Sequence, residues 1–361
     1  MRTQRTQSTF QDQPVFVGID VHKRQWHVSI RTSDIHHKTF SQPPRVDALV
    51  SYLERMFPGA RYQCVYEAGF CGFSVAHALA ARGIECRVVH PPDIPRSERD
   101  RVYKSDPVDA RRLARELAAD HLKSIYIPER EALEDRGLVR MRQSFVHKQT
   151  RCKTQIRHVL FFYGIPIPET IADEYWSRNF LSWLEDLELA TPIGTQTFRA
   201  LMTELRHLRA QVLELTLQIR KRALEDPYAE SVRLLCSIYG IGALTAMTVL
   251  TEIIDIKRFG TTEALASYAG LVPGTHSSGE HAQQTGLHHR RNAVLRHALI
   301  EAAWSAVRYD PVLLAWFTQA CRRRSKSQAI VGVARRLLNR IACVLRTRRP
   351  YEVRAAGARN A

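Results

Sequence analysis

The first 120 residues alternate short apolar segments with segments of helical spacing. Apolar runs and alternating runs predict strands over residues 15–21, 26–31, 38–41, 62–67 and 85–90. Apolar residues at helical spacing predict helices over residues 46–56, 73–81 and 107–119. Three strands, a helix, and then alternating strands and helices indicate an α/β domain with a mixed sheet and helices on its faces.

The middle of the chain is predicted to be helical. Residues 129–166 are basic and have helical spacing. A second stretch repeats apolar residues at alternating intervals of four and three, at Leu201, Leu205, Leu208, Val212, Leu215 and Ile219. Such a coiled-coil seam, about three heptads long, packs either in an antiparallel hairpin of one chain or between two chains. The pattern leaves both alternatives open.

Beyond residue 229 we expect a mostly α C-terminal domain. A helical stretch, the turn containing Gly240 and Gly242, and a helix over 243–253 resemble a helix-hairpin-helix element. Glycines in such an element let backbone N–H groups approach a phosphate, although an ordinary tight turn has the same signature. A glycine- and serine-rich loop is predicted over residues 270–281. Further helices are predicted over residues 293–307 and 329–345, and arginines of the stretch after Pro311 are candidates for nucleic-acid contact.

Four carboxylates stand at the ends of the N-terminal elements. Asp20 and Glu67 end two apolar runs that are predicted to be strands, and Asp106 and Asp109 lie one turn apart at the start of a predicted helix. Converged carboxylates repel each other unless cations neutralise them, and hard oxygen ligands favour Mg²⁺ or Mn²⁺ over zinc. The helical pair also suits helix capping and the helix dipole, whereas the strand-end pair has no comparable local explanation. The order of the predicted strands and helices, together with the four acids, indicates an RNase H-like fold with a metal-dependent phosphodiester site.

The charge balance points to a polyanionic partner. The chain of 361 residues has 53 Lys and Arg against 36 Asp and Glu, a net charge of +17. A surplus of this size favours nucleic acid, since releasing condensed counterions drives binding. A basic loop precedes Asp106 and suits phosphate positioning, with a solvated loop as the alternative; its cations are Arg96, Arg99, Arg101 and Lys104.

Apolar segments and cysteines indicate the cellular compartment of the protein. No apolar stretch reaches the ~20 residues of a spanning helix, and no signal peptide is evident, so no membrane partner is expected. Seven scattered cysteines without a C-x-x-C pair argue against zinc and disulfide frameworks. We therefore expect a protein of a reducing compartment.

Several motifs, in order, resemble the DEDD transposases of the insertion sequence 110 family. In the N-terminal half these are Val17-Gly18-Ile19-Asp20-Val21-His22-Lys23, Tyr66-Glu67-Ala68-Gly69 and Lys104-Ser105-Asp106-Pro107-Val108-Asp109-Ala110-Arg111. In the C-terminal half they are Gly240-Ile241-Gly242, Tyr268-Ala269-Gly270-Leu271-Val272-Pro273, Ser277-Ser278-Gly279 and Leu295-Arg296. The resemblance covers nearly the whole chain. Because the family belongs to bacterial mobile elements, the resemblance also implies a location in the bacterial cytoplasm, associated with the nucleoid.

The resemblance implies a recombinase with a RuvC-like N-terminal domain whose four acids bind magnesium. Position by position, those acids are Asp20, Glu67, Asp106 and Asp109, and the serine that becomes joined to DNA is Ser278, with Ser277 as runner-up. Family members use an element-encoded bridge RNA that pairs with target and donor DNA. They work as tetramers built from dimers, with composite sites. We expect three domains: residues 1–125 (RuvC-like), 126–228 (coiled coil) and 229–361 (serine-bearing).

The chain departs from the family pattern after the serine. The family's Thr-Lys-x-Gly-Asn stretch is replaced by Leu287-His288-His289-Arg290-Arg291-Asn292, so the DNA-contacting groups there are expected among Arg290, Arg291 and Arg296. Two rival functions remain open. One is a hydrolytic RuvC-like or RNase H-like nuclease, and the other is a non-catalytic nucleic-acid-binding protein.

Overall fold

The computed structural model describes residues 10–95, 105–172, 175–278, 281–287 and 291–352, with only the backbone for the strands between 273 and 287. The chain divides into two compact units, Met1–Pro128 and Glu129–Ala361. In the first unit the strands are β1 Pro14–Val21, β2 Trp26–Arg31, β3 His36–Gln42, β4 Arg61–Glu67 and β5 Glu85–Val89. Its helices are α1 Val46–Met56, α2 Ser74–Ala80 and α3 Asp106–Ala118, with a 3₁₀ turn at Pro91–Asp93.

The five strands form one mixed sheet in the order β3-β2-β1-β4-β5. β2 runs antiparallel to both β1 and β3, while β1, β4 and β5 are parallel. The predicted α/β order is therefore confirmed, and this arrangement is consistent with an RNase H-like N-terminal domain. Because β1, β4 and β5 are parallel, the ends of β1 and β4 that carry acids lie at the same edge of the sheet.

Side-chain alternation assigns each face of the sheet to different helices. Val15, Val17 and Ile19 of β1 pack in one apolar core with Leu53 of α1 and Leu79 of α2. The opposite face carries a second apolar cluster of β1, β4, β5 and α3, formed around Phe16, Val65, Val89, Leu113 and Leu117. Residues two apart on a strand share a face, so Asp20 and Glu67 belong to the α3 side.

Gly18 explains how closely α3 approaches the sheet. A Cβ atom at this position would lie 2.2 Å from the carbonyl oxygen of Ala110 and 2.5 Å from the backbone nitrogen of Ala114. Any side chain would therefore push α3 away from β1. The glycine permits direct backbone packing, which brings the first turn of α3 to the end of β1.

The second unit is mostly helical. Its helices are α4 Arg130–Phe162, α5 Arg178–Glu185, α6 Pro192–Arg222, α7 Ala229–Leu235, α8 Ala243–Ile253, α9 Thr262–Tyr268, α10 Ala293–Tyr309, α11 Pro311–Cys321 and α12 Lys326–Thr347. Two 3₁₀ turns lie at Glu169–Ile171 and Ile256–Arg258, and two strands, β6 Pro273–Ser278 and β7 His281–Leu287, form a hairpin. The sequence pattern had not predicted α5, α9 and α11.

The predicted leucine seam packs within the chain. Helices α4 and α6 are antiparallel: Arg142 donates to the Thr216 hydroxyl at one level, and the Cys152 thiol lies 3.6 Å from the Leu201 carbonyl at another. Leu205 and Leu208 of the seam are buried against Ile156 of α4 and its neighbours. Of the two alternatives for the seam, the intramolecular hairpin is the one that the structure contains.

One feature of the C-terminal region differs from the sequence-based interpretation, and a second one gains a structural explanation. The segment expected to be a loop over residues 270–281 contains β6, which pairs with β7 in antiparallel register. Glycine and serine have low strand propensity, so the local pattern concealed a hairpin that cross-strand pairing stabilises. Gly240 adopts φ +85° and packs on α10, where a Cβ would lie 2.5 Å from the Ala302 carbonyl oxygen, so packing requires a glycine here; its contact with phosphate stays a prediction.

The core of the second unit is formed by α8, α10 and α12, which bury Met247, Leu299 and Leu338. Among the helices described, none is both long enough and apolar enough to cross a bilayer.

Candidate metal centre

The end of β1 and the start of β2 place three polar side chains on the face of the sheet that α3 covers. Asp20 is the seventh residue of β1, and His22 follows two positions later. His27 of β2 is the register partner of Asp20, so the two residues stand directly opposite each other. Directly paired residues of antiparallel strands share a face, which explains why Asp20 and His27 are neighbours.

Asp106, the first residue of α3, completes this group. The Nε2 atom of His22 lies 3.0 Å from Oδ2 of Asp20 and 3.5 Å from Oδ2 of Asp106. Ligand atoms of Asp20, His22 and Asp106 all lie within 4.8 Å of one another. Nδ1 of His27 is 3.7 Å from Oδ2 of Asp106, beyond hydrogen-bonding distance. Two of the four predicted acids therefore meet around a histidine.

The other two predicted acids are joined by an arginine. Arg112, one turn after Asp109 on α3, is 3% exposed. Its Nη2 atom lies 2.9 Å from Oε1 of Glu67 and 3.0 Å from Oδ1 of Asp109. The guanidinium neutralises part of the charge that these carboxylates bring to the edge of the sheet. It thereby holds Glu67 of β4 and Asp109 of α3 together.

The pKa of Asp20 is raised at this crowded edge of the sheet. Burial of the carboxyl raises its pKa above the ordinary value, and the charges of Asp106 and Asp109 raise it further. The charge and hydrogen bond of His22 act in the opposite direction and only partly offset these effects. A carboxylate in this position gains from a cation, since a positive charge favours its ionised form.

The donor set fits a divalent cation. Ions of the size of Mg²⁺ bind oxygen at 2.0–2.1 Å in octahedral geometry, so adjacent ligands lie roughly 3 Å apart. The spacings of 3.0 Å and 3.5 Å from His22 to the two carboxylates are close to this value. Asp20 and Asp106 could hold an ion with small movements, while Glu67 and Asp109 would first have to exchange Arg112 for the metal.

Three residues of this centre were not predicted from the sequence. They are His22, His27 and Arg112. The signal for His22 was the Asp-x-His spacing at the end of a strand, since a separation of two places both side chains on one face. His27 required the register of β1 and β2, and Arg112 required the packing of α3, so the sequence alone carried no signal for either.

The serine candidates lie on the β6–β7 hairpin of the second unit. Ser277 and Ser278 are the last two residues of β6, and their backbone register partners on β7 are Ala282 and His281. Gly279 and Glu280 between the strands lie outside the described residues. The two serines are therefore placed at the end of a paired strand rather than in an irregular loop.

The chain that leaves this hairpin is attached to a buried carboxylate. Asn292, the N-cap residue of α10, donates from Nδ2 to Oε2 of Glu252 at 2.7 Å and to the Tyr268 hydroxyl at 3.1 Å. The backbone N–H of Asn292 also donates to the carbonyl of Tyr268. Because Tyr268 precedes β6 and Asn292 follows β7, these bonds bring the two ends of the hairpin segment together.

Glu252 itself is completely buried and is held by α4. Arg140 donates from Nε and Nη2 to the two carboxylate oxygens at 2.7 Å and 2.8 Å. Arg136 lies 3.8 Å from Glu252 and donates to the adjacent carbonyl of Thr251. Burial alone would raise the pKa of Glu252, but the hydrogen bonds from Arg140 and Asn292 and the charges of Arg140 and Arg136 hold it below its ordinary value.

The structure places the predicted nucleic-acid contacts in different settings. Gly242 is exposed at the N-cap of α8 with no neighbour within 4 Å of a notional Cβ, so it stays a candidate for backbone contact with phosphate. Arg291 is exposed and Arg296 is half-buried, and burial together with the charge of Arg291 lowers the pKa of Arg296. The remaining predicted contacts lie outside the described residues: Arg96, Arg99, Arg101, Lys104 and Arg290.

Comparison with known proteins identifies the relationship. The protein-family model of the DEDD transposases of the IS110 type matches residues 17–165, which contain all four acids. The model of the transposase IS116/IS110/IS902 family matches residues 232–317, which contain both serines.

Individual relatives point the same way. A Sinorhizobium fredii protein named as transposase y4qE is 29% identical over 301 residues, covering 82% of this chain and 72% of that protein. The transposase for insertion sequence element IS1533 of Leptospira borgpetersenii is 27% identical over 249 residues, 67% of this chain and 70% of that one. The pilin gene-inverting protein of Moraxella bovis is 31% identical over 159 residues, 42% of this chain and 46% of that one. The chain thus belongs to the IS110 family of transposases, and it is an enzyme that acts on DNA in transposition and recombination.

Proposed function

We propose that this protein is an RNA-guided recombinase that excises and inserts its own element, using a Mg²⁺-binding acid site and a serine nucleophile. The observation that carries the proposal is the convergence of Asp20, Glu67, Asp106 and Asp109 at one edge of the N-terminal sheet. A DEDD transposase domain implies dependence on a divalent metal. A binding module would gain nothing from four clustered like charges, which argues against the non-catalytic alternative.

The chemistry assigned to the chain's residues is a transesterification. The hydroxyl oxygen of Ser278 forms a bond to phosphorus while one bridging P–O bond of the DNA strand breaks. The departing oxygen takes up a proton and leaves as a free hydroxyl. The phosphodiester energy is retained in a phosphoserine link, so the strand can be rejoined to a new partner. A cation held by the acids would polarise the phosphate, and arginines such as Arg291 and Arg296 would stabilise the negative charge of the phosphate.

Target DNA, donor DNA and the element-encoded bridge RNA are the proposed partners. The net charge of +17 supports a polyanionic partner. Arg291 directly precedes the N-cap residue of α10, and Arg296 lies near the start of this helix. Both arginines follow the serine hairpin closely in the sequence and are suited to phosphate contact.

The nucleophile is tested by replacing each serine in turn. Ser278→Ala should bind DNA and RNA like the wild type but yield neither cleaved strand nor covalent adduct, because the attacking oxygen is gone. Ser277→Ala, the matched control one residue earlier, should keep appreciable activity. Labelled DNA is incubated with each full-length variant and resolved on a denaturing gel, where a phosphoserine adduct migrates with the protein.

Two results would contradict this assignment. An adduct that persists in Ser278→Ala and disappears in Ser277→Ala would move the nucleophile to the preceding residue. Cleavage by the wild type without any adduct would favour the rival hydrolytic nuclease, in which the acids activate water and the serine takes no part.

We also propose that the protein assembles as a homo-oligomer, a dimer or a tetramer. The predicted seam is occupied within the chain, but Leu213 and Leu217, one turn apart on α6, are 61% and 55% exposed. We expect Leu213→Glu/Leu217→Glu to shift the oligomer to smaller species in light scattering. Leu213→Gln/Leu217→Gln should show a weaker shift, and an unchanged mass in both variants would exclude this face.

A further inference from the structure

We propose that His22 is a metal ligand of the acid centre and gives it a preference for Mn²⁺ over Mg²⁺. The inference rests on the metal site of the proposed function and concerns a residue outside the four acids. It follows from the position of the imidazole, which lies between two carboxylates rather than beside one of them.

The geometry places a nitrogen donor in the ligand shell. Nε2 of His22 is 3.0 Å from Asp20 and 3.5 Å from Asp106, spacings close to those of adjacent ligands around one octahedral ion. The residue follows the strand end at an exposed position, so an ion has access to the imidazole. The same nitrogen therefore faces both carboxylates.

A second, independent observation concerns His27. This histidine is 8% exposed, and its Nδ1 atom is buried with no hydrogen-bond partner, yet it lies 3.7 Å from Oδ2 of Asp106. An unpartnered buried nitrogen is costly, and a small shift of the Asp106 carboxylate toward His27 would supply its partner. His27 would then orient Asp106, as hydrogen-bond partners of ligands commonly do in metal sites.

Arg112 determines which carboxylates are available to this ion. Its guanidinium already contacts Glu67 and Asp109, which leaves Asp20 and Asp106 as the pair that faces His22. A shell of two carboxylates and one imidazole is softer than a shell of oxygen atoms only. Mg²⁺ favours oxygen ligands, whereas imidazole suits first-row transition metals, so this shell discriminates in favour of Mn²⁺.

The test measures metal binding and does not depend on catalysis. Metal-free full-length protein is titrated with MnCl₂ by electron paramagnetic resonance, and MgCl₂ is measured by competition. His22→Ala should weaken Mn²⁺ binding about tenfold or more, on the scale of losses seen for supporting residues of metal sites, and should weaken Mg²⁺ binding much less. His22→Asn, which offers an oxygen, should retain Mg²⁺ binding and lose the preference for Mn²⁺.

A spectroscopic signature identifies the ligand directly. Pulsed electron paramagnetic resonance of the Mn²⁺-loaded wild type should show coupling to an imidazole ¹⁴N nucleus. The coupling should disappear in His22→Ala and persist in His207→Ala, a control that removes an exposed imidazole from α6. Coupling that persists in His22→Ala, or equal losses for Mn²⁺ and Mg²⁺, would overturn the inference.

Asp20→Asn separates this inference from the proposed function. If Asp20→Asn abolishes binding of both metals while His22→Ala changes neither, the acid centre stands and only the role of His22 is wrong. If Asp20→Asn leaves both metals bound as in the wild type, the metal centre of the proposed function fails together with this inference.

Discussion

Replacing Asp20 by asparagine should abolish strand cleavage while leaving nucleic-acid binding nearly intact. The substitution keeps the size of the side chain but removes the charge that a cation at this edge requires. Metal-assisted stabilisation is worth several kcal/mol, so we expect the cleavage rate to fall roughly a thousandfold or more. Cleavage of labelled DNA and binding to the same DNA are measured in parallel on the full-length protein.

Asp47→Asn is the matched control for this prediction. Asp47 lies in the first turn of α1 and pairs with Arg82 at an exposed position, away from the acids. It should cleave at the wild-type rate. Asp109→Asn should behave like Asp20→Asn, because Asp109 is one of the four acids proposed to hold the cation. Metal-dependent cleavage at the wild-type rate in both acid variants would disprove the catalytic role of the centre.

Removing the buried carboxylate of Glu252 should have the largest effect on stability. Glu252→Ala leaves Arg136 without its nearby charge and deprives Arg140 and Asn292 of their acceptor. Breaking a buried ion pair from one side typically costs on the order of 3–5 kcal/mol, although half-exposure of Arg140 will reduce its share. Denaturant unfolding of the full chain, followed by helix content, measures the loss.

Glu252→Gln and Glu263→Gln make this prediction specific. Glutamine can still accept from Arg140 and Asn292, so Glu252→Gln should be less destabilising than Glu252→Ala. Glu263→Gln, at an exposed position in the first turn of α9, should be nearly neutral. Equal stability of Glu252→Ala and the wild type would show that the network contributes nothing to folding.

The pH dependence of the Glu252 variants has a defined sign. The pKa of Glu252 is lowered in the folded protein, so the ionised carboxylate stabilises the fold at neutral pH. That contribution is present above the ordinary carboxyl pKa of about 4.5 and is lost as the pH falls through the lower folded value. The stability difference between wild type and Glu252→Gln should therefore narrow below about pH 4.5.

Much of the first unit could be predicted because its elements have strong local signals. The alternation of Val15, Val17 and Ile19 and the helical spacing of α1 and α3 gave strands and helices within a residue or two of those observed. The four acids were predicted for the same reason, since each lies at or near the end of one of these elements. The β6–β7 hairpin was missed because glycine and serine carry a weak strand signal, and only pairing with β7 reveals it.

Local sequence patterns were enough to establish the class of the molecule: the mixed α/β sheet, the long helices, the charge and the four acids typical of the transposase family. Which acid lies beside which basic side chain depends on tertiary packing. The register of β1 and β2 sets His27 opposite Asp20, and the bare backbone of Gly18 lets α3 bring Asp106 to His22 and Arg112 to Glu67. Arg112 and Glu67 are 45 residues apart along the chain, and local patterns do not encode contacts at that separation. They arise when helix packs on sheet, where side-chain alternation and close backbone approach fix which groups share one face.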